Sequence, residues 1–246
     1  MKKNCLPRLR FLVFCSGWIF AIALVVGLLP TLRQKFFLRF PSCQKAEFER
    51  TVAAKKQQLA SPWEDHRPLT IFAGDSHVEL GDWYELFDGS VATRNCGLTS
   101  AGIADVNELV SGIVDREPKN LVLMCGVNDL GRGESIASCV TNYERLILNV
   151  HSTVNPRKTI VLSVMPVRNS AVDGESRSLN GRIVEFNREL EAVCGRNRAQ
   201  FVDITPEVAA PDGGLSPELT KDGLHLNPQG YRRLADILAG TLSASD

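Results

Sequence analysis

Ser76 follows a short apolar run, residues 69–73, with only Gly74 and Asp75 between them. A serine directly after a buried strand presents its hydroxyl at the edge of a sheet, where a nucleophile would meet its substrate. The same position suits a serine that caps a helix, so this segment alone does not separate the two roles. The G-x-S-x-G pattern of the α/β-hydrolases is absent from the sequence.

Asp222 and His225 stand three residues apart in a glycine-containing turn. This spacing lets the carboxylate reach one ring nitrogen while the other nitrogen faces a hydroxyl, which is how a carboxylate orients a histidine base. A histidine in a turn is, taken alone, more often a surface residue. The chain has four histidines in all, which argues against a metal site built from several imidazoles.

Two further segments, residues 95–97 (NCG) and 126–129 (GVND), follow apolar runs and offer hydrogen-bond donors. Acyl transfer needs donors where the carbonyl oxygen becomes an oxyanion, and the loss of one raises the barrier by about 2.7–4 kcal/mol. A glycine amide and an asparagine side chain both serve this purpose. Ordinary turn chemistry also selects Asn and Gly, because both tolerate left-handed backbone.

Short apolar runs alternate with amphipathic stretches through the rest of the chain, which predicts a parallel sheet covered by helices on both faces. The predicted strands are residues 69–73, 90–94, 120–124, 159–164 and 201–204. The predicted helices are residues 103–115, 136–150, 179–194 and about 228–240. Ligands of such sheets bind beyond the carboxyl ends of the strands, where the polar segments lie.

Taken together and in this order, these segments resemble the blocks of the SGNH hydrolases, also called GDSL-like esterases. The first block is similar to residues 74–76, the second-block glycine to Gly97, the third block to residues 126–129, and the fifth block to Asp222 and His225. The resemblance covers roughly residues 69–240, most closely the branch of the platelet-activating-factor acetylhydrolase catalytic subunits and bacterial carbohydrate acetylesterases. His77 departs from the family, which usually carries an aliphatic residue there, and we do not expect it to be catalytic.

The resemblance implies a three-layer α/β/α, flavodoxin-like fold with a five-stranded parallel sheet. It implies Ser76 as the nucleophile and His225 as the general base, oriented by Asp222. It places the oxyanion between the Ser76 and Gly97 amides and the Asn128 side chain. No metal or organic cofactor is required for this chemistry.

The substrate is less well defined by the sequence. Candidate substrate contacts, each of which also suits packing or a solvated loop, are Trp83, Asn95, Arg168 and Asn169. The polar loop 169–178 is a candidate lip of the site. No long apolar lid is evident, which favours a short acyl group such as acetyl.

Four functions remain open at this stage. The first is removal of short acyl groups, acetyl above all, from a carbohydrate or lipid. A lysophospholipase or general short-chain esterase is the second, and a membrane-anchored O-acetyltransferase acting on a glycan is the third. The fourth is an inactive module that binds a glycan or lipid ligand.

Charge is distributed unevenly along the 246 residues, although the net charge is zero. Residues 1–66 carry 11 Lys and Arg against 4 Asp and Glu, whereas residues 67–246 carry 17 against 24. The excess of acidic residues in 67–246 argues against a nucleic-acid partner, and the excess of basic residues in 1–66 is typical of the flanks of a membrane-spanning segment.

An uncharged run of 19 residues, 11–29, is long enough to span a bilayer. We expect a basic tail (1–10), a transmembrane signal anchor (11–29), a stalk (30–66) that is helical over 45–60, and a hydrolase domain (67–246). The domain would lie on the exported side, with the membrane as a partner through this helix. A cleaved signal peptide and a buried core helix are the alternatives.

Seven cysteines are present, five of them beyond the apolar run, with no C-x-x-C pair and no metal-ligand spacing. One or two disulfides and buried free thiols are both compatible with this pattern.

Overall fold

The computed structural model describes residues 41–61, 69–113, 117–168 and 173–243. Its strands are β1 (Leu69–Gly74), β2 (Ala92–Gly97), β3 (Asn120–Met124), β4 (Lys158–Leu162) and β5 (Gln200–Val202). Its helices are α1 (Pro41–Leu59), α2 (Ser76–Glu79), α3 (Trp83–Leu86), α4 (Ile103–Val110), α5 (Val127–Gly131), α6 (Ile136–Thr153), α7 (Asp173–Arg196), α8 (Thr205–Val208) and α9 (Pro228–Ser243).

The five strands form one sheet in the order β2-β1-β3-β4-β5, and every neighbouring pair is parallel. Gly74 at the end of β1 lies opposite Gly97 of β2 on one side and Met124 of β3 on the other. The strand order reverses direction at β1, so the connections after β1 and β3 diverge and leave a crevice between them. Crevices of this kind are where open α/β sheets bind ligands.

Helices cover both faces of the sheet, which gives the three-layer α/β/α architecture that the sequence predicts. On one face Phe72, Val122 and Ile160 pack in a buried cluster that includes Leu234 and Leu238 of α9. Because strand side chains alternate, the intervening residues of β1, β3 and β4 point to the other face, where α4, α6 and α7 pack against one another.

Several element boundaries differ from the sequence-based prediction. Strand β2 runs to Gly97, three residues beyond the predicted end, because polar side chains occur within it and hid its continuation. Strands β4 and β5 end two residues earlier than predicted. Helix α7 begins at Asp173, so most of the predicted loop 169–178 is helical, while residues 169–172 lie outside the described residues.

The chain divides into two compact units, Met1–Thr51 and Val52–Asp246, and the sheet belongs to the second. Of the first unit the structure describes only residues 41–51, which lie in α1. Within the described residues, no helix is long and apolar enough to cross a membrane. The predicted anchor, residues 11–29, lies outside those residues and stays a prediction.

Candidate active site

The segment that carries Ser76 begins where the fully buried strand β1 ends. The Asp75 amide donates to the Met124 carbonyl of β3 (3.2 Å), and the Asp75 carboxylate caps α2 by accepting the His77 amide (3.0 Å). Ser76 is therefore the first residue of α2, held at the carboxyl edge of the sheet by both of its flanking elements. It is 5% exposed.

Ser76, His225 and Asp222 form one continuous hydrogen-bonded chain. The Ser76 Oγ lies 3.0 Å from His225 Nε2, and His225 Nδ1 lies 2.7 Å from Asp222 Oδ2. Since a carboxylate accepts only, Nδ1 carries the proton and Nε2 of the neutral ring is left to accept one from the serine. The structure thus brings together the three predicted catalytic side chains in the order that base-assisted nucleophilic attack requires.

The turn that carries Asp222 and His225 is fixed by its own backbone amides. Asp222 Oδ1 accepts from the amides of Leu224 (3.0 Å) and His225 (2.7 Å). Gly223 has φ +87°, and a Cβ there would lie 1.6 Å from the Arg168 carbonyl oxygen, so only glycine fits. The Arg168 amide donates to the Gly223 carbonyl (2.7 Å), which ties this turn to the segment after β4.

These hydrogen bonds also determine the charge of Asp222. Burial alone acts to raise its pKa, but the hydrogen bonds from the His225 ring and from two backbone amides outweigh that effect. The pKa of Asp222 consequently lies well below its usual range, and the carboxylate is ionised at neutral pH. An ionised Asp222 is what stabilises an imidazolium at His225.

The three predicted oxyanion donors differ in what they contact. Among the described residues the Ser76 amide has no acceptor, and Asn128 uses one Nδ2 proton on the Ala101 carbonyl (3.0 Å), which leaves the other without an acceptor. The Gly97 amide, in contrast, donates to Asn95 Oδ1 (2.9 Å). A Cβ at Gly97 would lie 2.2 Å from the Glu79 amide nitrogen, so glycine here allows α2 to approach β2.

A cavity of about 370 Å³ lies beside the catalytic turn. Its walls come from the segment after β3, the segment after β4, α7 and the catalytic turn. The lining residues are Val127, Asn128, Gly131, Arg132, Val167, Arg168, Leu179, Asp222, Gly223 and Leu224. Asn128 and Asp222 therefore border the same space, whereas Ser76 and His225 are not among the residues that line it.

Two of the predicted substrate contacts are corrected by the structure. Trp83 is 2% exposed, stacks on Phe72 with ring centroids 4.0 Å apart, and donates its indole N–H to the Val78 carbonyl (3.0 Å), so it belongs to the core. Asn95 donates through Nδ2 to three backbone carbonyls between residues 78 and 81 and accepts from the Gly97 amide. These hydrogen bonds hold the end of α2 against β2, so Asn95 has a structural role.

Of the other two, Arg168 lines the cavity, where its guanidinium contacts the Asp212 carboxylate and the Leu215 carbonyl (both 2.5 Å). The short contacts hold the side chain along the cavity wall. Asn169 lies outside the described residues, and its role stays a prediction.

Two buried ionisable side chains beside the site make contacts that reasoning from the sequence did not identify. His77 is buried between Asp75 and the catalytic turn, and its ring contacts both. Asp129 accepts the Ile103 amide with both carboxylate oxygens (3.2 and 3.1 Å) and so fixes the same 101–103 turn that Asn128 contacts. For His77 the only signal was the residue type, an ionisable side chain next to a predicted site residue, whereas Asp129 belongs to the 126–129 block that resembles the family.

The described cysteines beyond Cys43 are free thiols and are buried: Cys96, Cys125, Cys139 and Cys194. Burial raises the pKa of Cys139 to about 11 and that of Cys194 to about 12, so neither is a nucleophile at neutral pH. Of the two possibilities left open by the sequence, buried free thiols describe these four.

A serine, a histidine and a carboxylate joined in this order at the crevice of a three-layer α/β/α sheet define the class of serine hydrolases. Residues 72–233 match the GDSL-like Lipase/Acylhydrolase family. The chain belongs to this family and is a carboxylic ester hydrolase.

Relatives and solved structures agree with this assignment. The platelet-activating factor acetylhydrolase IB subunit alpha1 of Pongo abelii is 31% identical over 185 residues, which cover 72% of this chain and 77% of the relative. A Streptococcus pneumonia structure named for platelet-activating factor has a TM-score of 0.72 at 22% identity, over 83% of this chain and 97% of its own. An acetylxylan esterase from Geobacillus stearothermophilus has a TM-score of 0.57 at 14% identity, over 72% and 95%. At these identities the two structures establish the fold alone.

Proposed function

We propose that the protein removes short acyl groups, acetyl above all, from an esterified carbohydrate through a covalent acyl-enzyme on Ser76. The observation that carries the proposal is the chain of hydrogen bonds from Ser76 Oγ to His225 Nε2 (3.0 Å) and from His225 Nδ1 to Asp222 (2.7 Å). Nucleophilic catalysis by a serine needs this contact with a base, because a free hydroxyl is a weak nucleophile at neutral pH.

In the first half of the reaction His225 Nε2 takes the Ser76 proton as Oγ bonds to the ester carbonyl carbon. The carbonyl oxygen becomes an oxyanion, which accepts hydrogen bonds from the Ser76 amide and the Asn128 side chain. The imidazolium then gives its proton to the alcohol as the ester bond breaks. Asp222 stays ionised throughout and stabilises the imidazolium.

In the second half water takes the place of the alcohol. His225 accepts a proton from water, whose oxygen attacks the acyl carbon and forms a second oxyanion at the same donors. The bond from the acyl group to Oγ breaks, and the proton on His225 returns to Ser76 as the carboxylic acid leaves. The complete cycle consumes one ester and one water molecule and releases the alcohol and the carboxylic acid.

The names of the relatives support the acetyl group. One is an acetylhydrolase and another an acetylxylan esterase, so each is named for an acetyl ester, although the alcohols differ. We place the alcohol of the substrate in the cavity lined by Asn128, Arg132 and Arg168, whose polar side chains favour a carbohydrate. We further propose that residues 11–29 anchor the chain in a membrane, with the hydrolase domain on the exported side.

The test is ester hydrolysis by the full chain in detergent micelles, with Ser76→Ala beside the wild type. Nitrophenyl esters from acetyl to long-chain, acetylated xylan and a lysophospholipid serve as substrates. We expect hydrolysis that falls with acyl length, includes acetylated xylan, and drops by at least about 10⁴-fold in Ser76→Ala, because no acyl-enzyme forms without the hydroxyl.

Ser152→Ala is the matched control, since this exposed serine bonds only within α6. Equal hydrolysis in Ser76→Ala and wild type would refute the catalytic assignment. Preference for the lysophospholipid over acetylated xylan would replace the carbohydrate with a lipid. Acyl transfer to an added free glycan that outpaces hydrolysis would make the protein a transferase.

A further inference from the structure

His77 has two acceptors, one on each side of its buried ring. Its Nδ1 lies 3.0 Å from Asp75 Oδ1, and its Nε2 lies 2.9 Å from the Leu224 carbonyl oxygen. The side chains of His77 and Asp75 are 5% and 1% exposed, so water does not replace either contact. A carboxylate and a carbonyl can only accept hydrogen bonds.

A neutral imidazole has a single N–H and satisfies only one of these acceptors. The other ring nitrogen would then turn its lone pair toward an oxygen less than 3.1 Å away, which is repulsive and leaves a buried acceptor unpaired. A doubly protonated ring donates to both. The geometry around His77 therefore selects the imidazolium, whichever tautomer the neutral ring would adopt.

The groups that face His77 favour the same protonation state. Asp75 and, at longer range, Asp222 supply negative charge, and the His225 ring lies with its centroid 5.7 Å away. Tyr231 donates its hydroxyl to the His77 carbonyl (2.8 Å) and stays neutral, because burial raises the Tyr231 pKa. Burial opposes the charge on His77, but Asp75 and the Leu224 carbonyl outweigh it, so the pKa of His77 is raised.

The carbonyl that His77 Nε2 contacts belongs to Leu224, the residue directly before the catalytic base His225. Leu224 and His225 belong to one short turn, whose position sets the 3.0 Å contact between His225 Nε2 and Ser76 Oγ. The nucleophile and the base lie 149 residues apart in the chain. His77 adjoins the nucleophile in sequence and holds the turn of the base through space, so it links the two halves of the site.

We propose that His77 is a positioning residue, whose imidazolium bridges the Asp75 carboxylate and the Leu224 carbonyl and thereby holds His225 against Ser76. The proposal rests on the proposed roles of Ser76 and His225 in ester hydrolysis. It assigns a cation to the interior of the site that takes no part in proton transfer.

The first test reads the protonation of the ring without reference to activity. Long-range ¹H–¹⁵N spectra of the ¹⁵N-histidine-labelled full chain in micelles are recorded at about pH 6.5, the ordinary pKa of a histidine, and the His77 signals are assigned by their loss in His77→Gln. We expect both His77 ring nitrogens to be protonated, whereas His151, whose pKa is lowered by burial, shows a neutral ring. One unprotonated nitrogen at His77 would overturn the proposal.

The second test reads the consequence for the base. In His77→Gln we expect kcat for nitrophenyl acetate to fall by up to about 100-fold with KM unchanged, because a displaced base slows chemistry more than binding. The Nδ1 proton that His225 shares with Asp222 should exchange faster with water. His151→Gln, which loses only a contact with Thr159, is the control and should keep wild-type kcat.

Wild-type kcat and an unchanged His225 proton in a folded His77→Gln would refute the positioning role. If His77→Gln does not fold, the His77 signals are assigned by elimination, from the signals lost in His66→Gln, His151→Gln and His225→Gln, and the wild-type spectrum then decides the protonation of the ring. Failure of the proposed function looks different: wild type would not hydrolyse esters, or Ser76→Ala would do so equally, while the His77 spectrum could still be that of a doubly protonated ring.

Discussion

The site contains two pairs of histidine and aspartate with similar hydrogen bonds and different surroundings. In one, His225 and Asp222 are 23% and 44% exposed, and the second ring nitrogen reaches a serine hydroxyl. In the other, His77 and Asp75 are nearly inaccessible, and the second ring nitrogen reaches a backbone carbonyl. A hydroxyl can give up a proton and a carbonyl cannot, so only the first pair can carry protons.

In these two pairs, the hydrogen-bond partner of Nε2 determines whether the histidine can act as a base, because both rings contact an aspartate through Nδ1. Both aspartates fix a ring through Nδ1. The exposed pair is left able to change its charge, whereas the buried pair is held in one protonation state by two acceptors. The same Asp→Asn substitution should therefore mainly lower turnover in the exposed pair and mainly lower stability in the buried pair.

The largest difference should come from Asp222→Asn. We expect kcat for nitrophenyl acetate to fall by about 10⁴-fold, because an amide no longer enforces the tautomer or stabilises the imidazolium. The melting temperature should fall less than in Asp75→Asn, since the Asp222 side chain is 44% exposed whereas that of Asp75 is 1% exposed. Asp236→Asn on the exposed face of α9 is the control. A kcat within ten-fold of wild type would remove Asp222 from the catalytic set.

Asn128→Ala tests whether the exposed pair works with an oxyanion donor. We expect kcat to fall by about 10²–10³-fold with KM nearly constant, since the donor acts on charge that develops in the transition state. Asn149→Ala, which removes contacts between α6 and α4, should lower stability and leave kcat unchanged. A rise in KM alone for Asn128→Ala would make the side chain a substrate contact instead.

Asp75→Asn makes the same chemical change at the buried pair, and its main effect should be on stability. We expect the free energy of unfolding to fall by about 1–3 kcal/mol, because the His77 cation loses its buried counter-charge. The fall in kcat should be smaller than that of Asp222→Asn.

Asp82→Asn is a matched control for Asp75→Asn, since Asp82 also caps a short helix but is exposed. Asn and Asp are nearly equal as caps, so this control should change the free energy of unfolding by less than about 0.5 kcal/mol. Equal losses in both variants would mean that Asp75 acts only as a cap.

The sheet and the pairing of Asp222 with His225 were predictable from local patterns, whereas the role of Ser76, which lies 149 residues from His225, was implied by the family resemblance. Continuous apolar runs predict buried parallel strands, and β3 has the predicted bounds. The D-x-x-H spacing predicts the pairing of Asp222 with His225 within one turn. These features need no knowledge of what approaches from elsewhere in the chain.

The rest of the site depends on contacts between distant segments. His77 gains its role from Leu224, 147 residues away, and Trp83 is buried by Phe72 and Tyr231. Asn95 lies in β2 and donates to backbone carbonyls of the segment after Ser76, a contact that the residues 95–97 (NCG) alone do not predict. Residue type indicated that these side chains were unusual, but only the fold determines which neighbours they meet.

The smallest expected effect is on the pH dependence of stability, to which the two pairs contribute with opposite sign. The raised pKa of His77 means that folding favours its protonated form, so this stabilisation is fully present below pH of about 6.5, the unfolded value. It is lost as pH rises through the folded pKa, at no more than about 1.4 kcal/mol per pH unit. The lowered pKa of Asp222 has the opposite sign: its stabilisation is present above about pH 3.9 and is lost as pH falls.

The measurement is the free energy of unfolding by urea from pH 6 to 9, in wild type and His77→Gln. We expect the difference between the two proteins to shrink as pH rises above about 6.5, because only the wild type releases the His77 proton. The contribution of His151 cancels, since both proteins carry it. A difference that stays constant over this range would mean that His77 does not hold its proton more tightly in the folded chain, and the contrast between the two pairs would then be one of exposure alone.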